Sequence, residues 1–202
     1  MLFYVLRVIC FLPLKILFPT RIICKKNKIK KGRVILCCNH QSNNDVPIIA
    51  ISFHRRFSYM AKKSLFNNKF FGWLIKKLGA YPVDREKTDL KAMKKTIDLL
   101  KAEKGICLFP QGTRISEMDS AQLKNGAIIF SLKTNSPILP SVFIRKPSVF
   151  KRNRYVIGEP IKLYEMDEFK DKKIDEELIE KGKNILFQKM LELQENNKFS
   201  KK

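Results

Sequence analysis

Apolar and polar positions fall into alternating blocks along the 202-residue chain. Short apolar runs bounded by polar turns predict buried strands at Val34–Cys38, Phe57–Ala61, Ala80–Val83, Gly105–Phe109, Ile138–Ile144 and Arg154–Ile157. The longer segments between them predict helices at Asp45–His54, Lys69–Leu78, Lys87–Lys104, Gly126–Thr134 and Ile174–Gln194. In the third of these, Leu90, Met93, Ile97 and Leu100 recur at helical spacing and define a core face. Strand–helix alternation predicts an α/β fold: a mixed, mostly parallel sheet covered by helices on both faces. Ligands of such sheets sit in the loops beyond the carboxyl ends of the strands.

Residues 1–24 break the alternation. They are mostly apolar, interrupted by Arg7, Lys15 and Arg21 and by Pro13 and Pro19. A single membrane span needs roughly 20 uninterrupted apolar residues, so two short helices, Leu2–Leu12 and Leu14–Ile23, lying partly in one leaflet fit better. A single span, a cleaved signal peptide, and segments that simply cap the domain core are the rival readings. The segment lacks the charged start and small-residue cleavage site of a signal peptide. Residues 25–33 follow as a polybasic linker. The expected organisation is therefore an apolar membrane-associating segment at 1–24, this linker, an α/β domain at 34–195 and a polar tail at 196–202.

Charge sharpens the picture. The chain carries 41 Lys and Arg against 19 Asp and Glu, a formal net charge of +22. Such a chain seeks anionic partners. An apolar helix followed by a polybasic stretch selects an anionic membrane surface, on the cytoplasmic face of the cell membrane. The remaining lysines are scattered over helical faces, with no zinc-finger spacing, RNP-like block or basic recognition helix, so nucleic acid is not an expected partner. The five cysteines lie in apolar segments, are odd in number and show no metal spacing, which suits buried thiols in a reducing compartment. Neither a metal nor a resident cofactor is implied.

The candidate chemistry lies in two loops. His40 and Asp45 frame the hexapeptide His-Gln-Ser-Asn-Asn-Asp after the first strand of the alternating region, with Asp45 opening the next helix. A turn there can bring the carboxylate to one imidazole nitrogen and leave the other to accept a proton, as a general base does. Cys38, two residues before His40, raises the alternative of a thiol nucleophile. Phe109-Pro110-Gln111-Gly112-Thr113-Arg114 follows the strand at Gly105–Phe109 and offers a turn glycine, a hydroxyl and a planar cation suited to phosphate. A base and a phosphate clamp on separate loops point to transfer onto a hydroxyl of a phosphorylated substrate.

Four blocks in order resemble the glycerolipid acyltransferases, most closely the bacterial 1-acylglycerol-3-phosphate acyltransferases. Asn-His-Gln-Ser-Asn-Asn-Asp at 39–45 is similar to the first block, Gly-Ala-Tyr-Pro-Val-Asp-Arg at 79–85 to the second, Phe-Pro-Gln-Gly-Thr-Arg at 109–114 to the third and Ile-Leu-Pro-Ser-Val at 138–142 to the fourth. The resemblance runs from about Gly32 to Gly158. It implies direct transfer of a fatty acyl group from a thioester, acyl-CoA or acyl carrier protein, to the free hydroxyl of a lysophospholipid, without a covalent enzyme intermediate. His40 would be the base, Asp45 its partner, and Arg85 and Arg114 the holders of the acceptor phosphate, with Gln111, Gly112 and Thr113 beside them. The family usually carries Glu where this chain has Gln111, so an altered acceptor, or a non-catalytic lipid-binding relative of the same fold, is the alternative.

Overall fold

A computed structural model describes residues 2–84, 88–113 and 122–198. Seven strands form one sheet. In chain order they are β1 (Thr20–Ile23), β2 (Val34–Cys38), β3 (Phe57–Lys62), β4 (Ala80–Val83), β5 (Gly105–Leu108), β6 (Ile138–Phe143) and β7 (Asn153–Ile157). The helices are α1 (Leu2–Leu17), α2 (Asp45–Ser52), α3 (Lys69–Lys77), α4 (Leu90–Lys101), α5 (Gly126–Thr134) and α6 (Glu176–Lys198). Across the sheet the order is β1-β7-β6-β2-β5-β3-β4. Every neighbouring pair is parallel except β6 with β7. The expected mixed, mostly parallel α/β sheet is therefore present.

Both faces are covered. Successive residues of β2 point to opposite sides, as the two-residue period of a strand requires. Ile35 and Cys37 join a core with Leu100 of α4, Ile128 of α5 and Leu186 and Met190 of α6. Val34, Leu36 and Cys38 join a second core with Ile48 and Ile49 of α2 and Phe18 beyond α1. Helix α6 buries Leu178, Gly182, Leu186 and Met190, one residue every fourth position. A Cβ on Gly182 would stand 2.6 Å from Ile128 Cγ2, so only glycine lets α6 pass this close to α5.

Two expectations need correction. The segment expected as a second apolar helix at Leu14–Ile23 is split instead. One 16-residue helix, α1, continues through Pro13, and hydrogen bonding resumes beyond it where the Phe18 N–H donates to Leu14 O at 2.8 Å. Pro19 then ends the helix, and the β-branched Thr20, Ile22 and Ile23 extend as β1, parallel to β7 in the register Thr20↔Asn153. The first sheet strand thus lies within the segment read as an anchor. Among the described residues no helix is long and apolar enough to cross a membrane.

The second correction concerns α4. Leu90 is exposed, and the fully buried positions are Ala92, Thr96 and Leu100, flanked by the partly buried Met93 and Ile97. A polar residue can occupy the core side because the Thr96 hydroxyl bonds Tyr81 Oη and Ala92 O, each at 2.8 Å. The helix also starts later than expected. Asp89 caps it, its side chain accepting the Ala92 N–H at 2.9 Å, which leaves Leu90 in the first turn on the solvent side.

Candidate active site

Strands β2 and β5 lie side by side in the register Cys37↔Leu108, so their carboxyl ends open together. The chain leaving β2 enters α2 on one face of the sheet, and the chain leaving β5 reaches α5 on the other. Adjacent parallel strands whose connections diverge to opposite faces leave a crevice at their ends. The His40 loop and the Gln111 loop form its two walls.

The loop after β2 folds tightly around Asp45, which is completely buried at the start of α2. Asp45 Oδ2 lies 2.7 Å from His40 Nδ1 and also accepts the backbone N–H groups of Gln41 and Ser42 at 2.8 and 2.9 Å. A carboxylate can only accept, so Nδ1 carries the proton and Nε2 is the nitrogen left with an open lone pair. The His40 ring stacks on Phe109 at 4.1 Å between centroids, 22° between planes. Hydrogen bonds from Asp45 and the flat face of Phe109 together fix the plane and direction of the imidazole.

Asn39 secures this arrangement to the rest of the sheet. Its side chain accepts the Phe143 N–H at 2.8 Å and donates to Phe143 O at 2.9 Å, tying the end of β2 to β6. Asn44 donates to Pro147 O at 3.3 Å from the same loop. Neither Asn39 nor Phe109 was assigned a role from the sequence. The only local signal was a polar amide closing an apolar strand, since a buried amide must find partners.

The second loop is partly described. Gln111 is buried, and its Oε1 has no hydrogen-bond partner among the described residues. Gly112 takes a left-handed conformation (φ +72°), and its N–H closes the turn onto Phe109 O at 2.9 Å. Thr113 is exposed. Arg85 and Arg114 lie outside the described residues. Asp84, just before Arg85, leaves the sheet from β4, separated from β2 by β5 and β3.

The thiol alternative does not fit the environment. Burial pushes the Cys38 thiol well above its ordinary range, and the neighbouring Asp45 charge raises it further. Burial also raises Cys37 and Cys107. Thiolates are the reactive form, so these cysteines are inert core residues.

Comparison with known proteins identifies the family. Residues 21–144 match the family model described as Acyltransferase. The 1-acyl-sn-glycerol-3-phosphate acyltransferase of Bacillus subtilis is 34% identical over 143 residues, 68% of this chain and 71% of that protein. The protein of the same name from Streptococcus pneumoniae is 32% identical over 127 residues, 60% of this chain and 47% of that protein. The crystal structure of the 1-acyl-sn-glycerophosphate acyltransferase of Thermotoga maritima shares the fold, with a TM-score of 0.67 at 23% identity, over 90% of this chain and 74% of that one. The chain belongs to the acyltransferase family. It is an enzyme of the O-acyltransferase class.

Proposed function

We propose that this enzyme moves a fatty acyl group from a thioester donor, acyl-CoA or acyl carrier protein, to the free hydroxyl of a lysophospholipid such as 1-acylglycerol-3-phosphate, giving phosphatidic acid. The observation that carries the reading is the His40–Asp45 pair at the β2–β5 crevice. The names of the similar proteins support this acceptor class.

In this mechanism His40 Nε2 takes the proton from the acceptor hydroxyl as its oxygen attacks the thioester carbonyl. Asp45 holds the tautomer and stabilises the imidazolium. Collapse of the tetrahedral intermediate expels the thiolate, which takes the proton back from the imidazolium. Arg85 and Arg114 hold the acceptor phosphate, with Thr113 and the Gly112 amide beside it. Fixing both substrates in line supplies much of the acceleration. A thioester-consumption assay with lysophosphatidate, read by release of free thiol, tests the reading. No thiol release above the uncatalysed rate with either donor would overturn it.

Gln111 bears on acceptor choice. A neutral amide stands where the family usually carries a carboxylate, and its buried Oε1 has no hydrogen-bond partner among the described residues. Gln111→Glu places a charge beside the acceptor phosphate and its arginines. It is expected to change the ranking of kcat/KM across a panel of lysophospholipid headgroups. An unchanged ranking would show that the position carries no specificity.

Membrane association is also part of the proposal. Ile9, Leu12 and Ile16 of α1 are each about 60% or more exposed and fall on one helical stripe, while Leu14 and Leu17 pack against the core. α1 contacts α2, the helix that Asp45 opens. Within the polybasic segment, Lys25 and Lys26 are exposed, whereas Lys28 Nζ donates to Ser52 O and sits over the Phe53 ring. Deleting residues 2–12 keeps β1 and is expected to release the protein from anionic vesicles in a flotation assay. Neutralising Lys25 and Lys26 should weaken binding by about 1 kcal/mol per charge at low salt. Retention of the deleted protein on vesicles would place the membrane contact elsewhere.

A further inference from the structure

We propose that a second, separate cavity in this protein binds a multivalent phosphate anion at the end of the sheet opposite the acyl-transfer crevice. The cavity has a volume of about 660 Å³. It lies at the amino ends of β2 to β5, bounded by Gly32, Arg55, Arg56, Gly79 and Lys104, residues that precede those strands, and by Lys76 of α3 and Lys95 of α4. The His40 loop follows the carboxyl end of β2, so the length of that strand, about 17 Å, separates the two sites.

The charge of the cavity is one-sided. Seven Lys and Arg residues line it against a single carboxylate, Glu103. That carboxylate is already engaged by Arg33, through both its guanidinium and its backbone N–H. Lysines on open helical faces are ordinarily just solvated. Here the cations converge on a concavity, and two arginines are seated in it by the fold. Arg55 donates to Gly32 O at 2.6 Å and lies 5.5 Å from the centre of the Phe57 ring, while its Nε is buried without a partner among the described residues. Arg56 donates to Lys77 O at 2.9 Å. These arginine bonds run to backbone carbonyls and orient the two guanidinium groups.

Glycine makes the seats possible. A Cβ on Gly105 would stand 2.8 Å from the Phe57 ring and 3.1 Å from Arg55 Nη2. A Cβ on Gly79, whose φ is +107°, would stand 2.8 Å from Phe57 O and 3.1 Å from Arg56 Nε. Burial disfavours the Arg55 charge, and Glu103 offsets this only in part. An anion with two or more linked phosphates would balance the excess of seven cations over one carboxylate around the cavity, and its oxygens match the planar fork of a guanidinium. Such phosphates come either from a soluble polyphosphorylated metabolite or from an anionic lipid headgroup.

Calorimetric titration of the full chain with sodium tripolyphosphate at physiological salt tests the assignment. One saturable site per chain is expected. Replacing Lys95 and Lys104 together with Gln should weaken it by about tenfold or more, since a charged hydrogen bond contributes on the order of 1.5–3 kcal/mol. Both side chains are exposed, so this variant should fold. Replacing Lys172 and Lys173 with Gln removes the same charge elsewhere and should leave the affinity unchanged. His40→Ala should bind as wild type, which separates this site from the acyl-transfer site. In a parallel arm, vesicles with and without phosphatidate compete for the site. Displacement of tripolyphosphate only by phosphatidate vesicles, with the same loss in the Lys95/Lys104 variant, would assign a lipid headgroup; no displacement would assign a soluble anion. Absence of saturable binding to either probe, or equal weakening by the two double variants, would overturn the proposal.

Discussion

His40→Ala is expected to lower kcat by about a thousandfold, within the 10² to 10⁴ range that a positioned general base contributes. The fold should survive. The side chain stacks on Phe109 at the crevice wall and is not part of either core, so the loss is one ring contact and one bond to Asp45. Circular dichroism and thermal melting of the variant therefore accompany the rate measurement. Asp45→Asn should approach the same loss in rate for a different reason. The amide keeps an acceptor for the Gln41 and Ser42 N–H groups but removes the charge that stabilises the imidazolium. Wild-type thiol release by purified, folded His40→Ala protein would show that the proton leaves by another route.

Arg85→Ala and Arg114→Ala are each expected to raise the acceptor KM by about 10- to 100-fold, the equivalent of losing a charged hydrogen bond to a phosphate, while the donor KM changes little. Lysine should rescue only partly, because a point charge cannot reproduce a bidentate fork. The split between the two KM values is the informative quantity. If both rise together, the arginines support the loops and do not hold the phosphate, and the acceptor clamp must be sought elsewhere around the crevice.

Which features were legible in advance follows the range of the forces that set them. The strands at Val34–Cys38 and Ala80–Val83 and the helix at Gly126–Thr134 occupy the expected residues, because each is a continuous apolar or amphipathic run bounded by polar breaks. β1 was hidden because Thr20–Ile23 is only four residues long and continues an apolar segment; nothing local distinguishes it from helix until β7 offers its edge. Leu90 was misplaced for a related reason. Its spacing matched the core stripe, but the Asp89 cap and the Tyr81–Thr96 hydrogen bond turned a different face inward.

The candidate site divides in the same way. His40 and Asp45 are five residues apart, so one turn can join them, and the sequence by itself determined that pairing. It also carried the block order that marks the family and the excess of basic residues. Only the tertiary structure decided that Phe109 stacks on His40, that Asn39 ties the loop to β6, and that seven cations meet in a cavity at the far end of the sheet. Each of those contacts joins residues far apart in the chain. They exist because β2 pairs with β5 on one side and β6 on the other, and strand order is set by how all the apolar faces are buried together, a condition no local stretch of sequence can state.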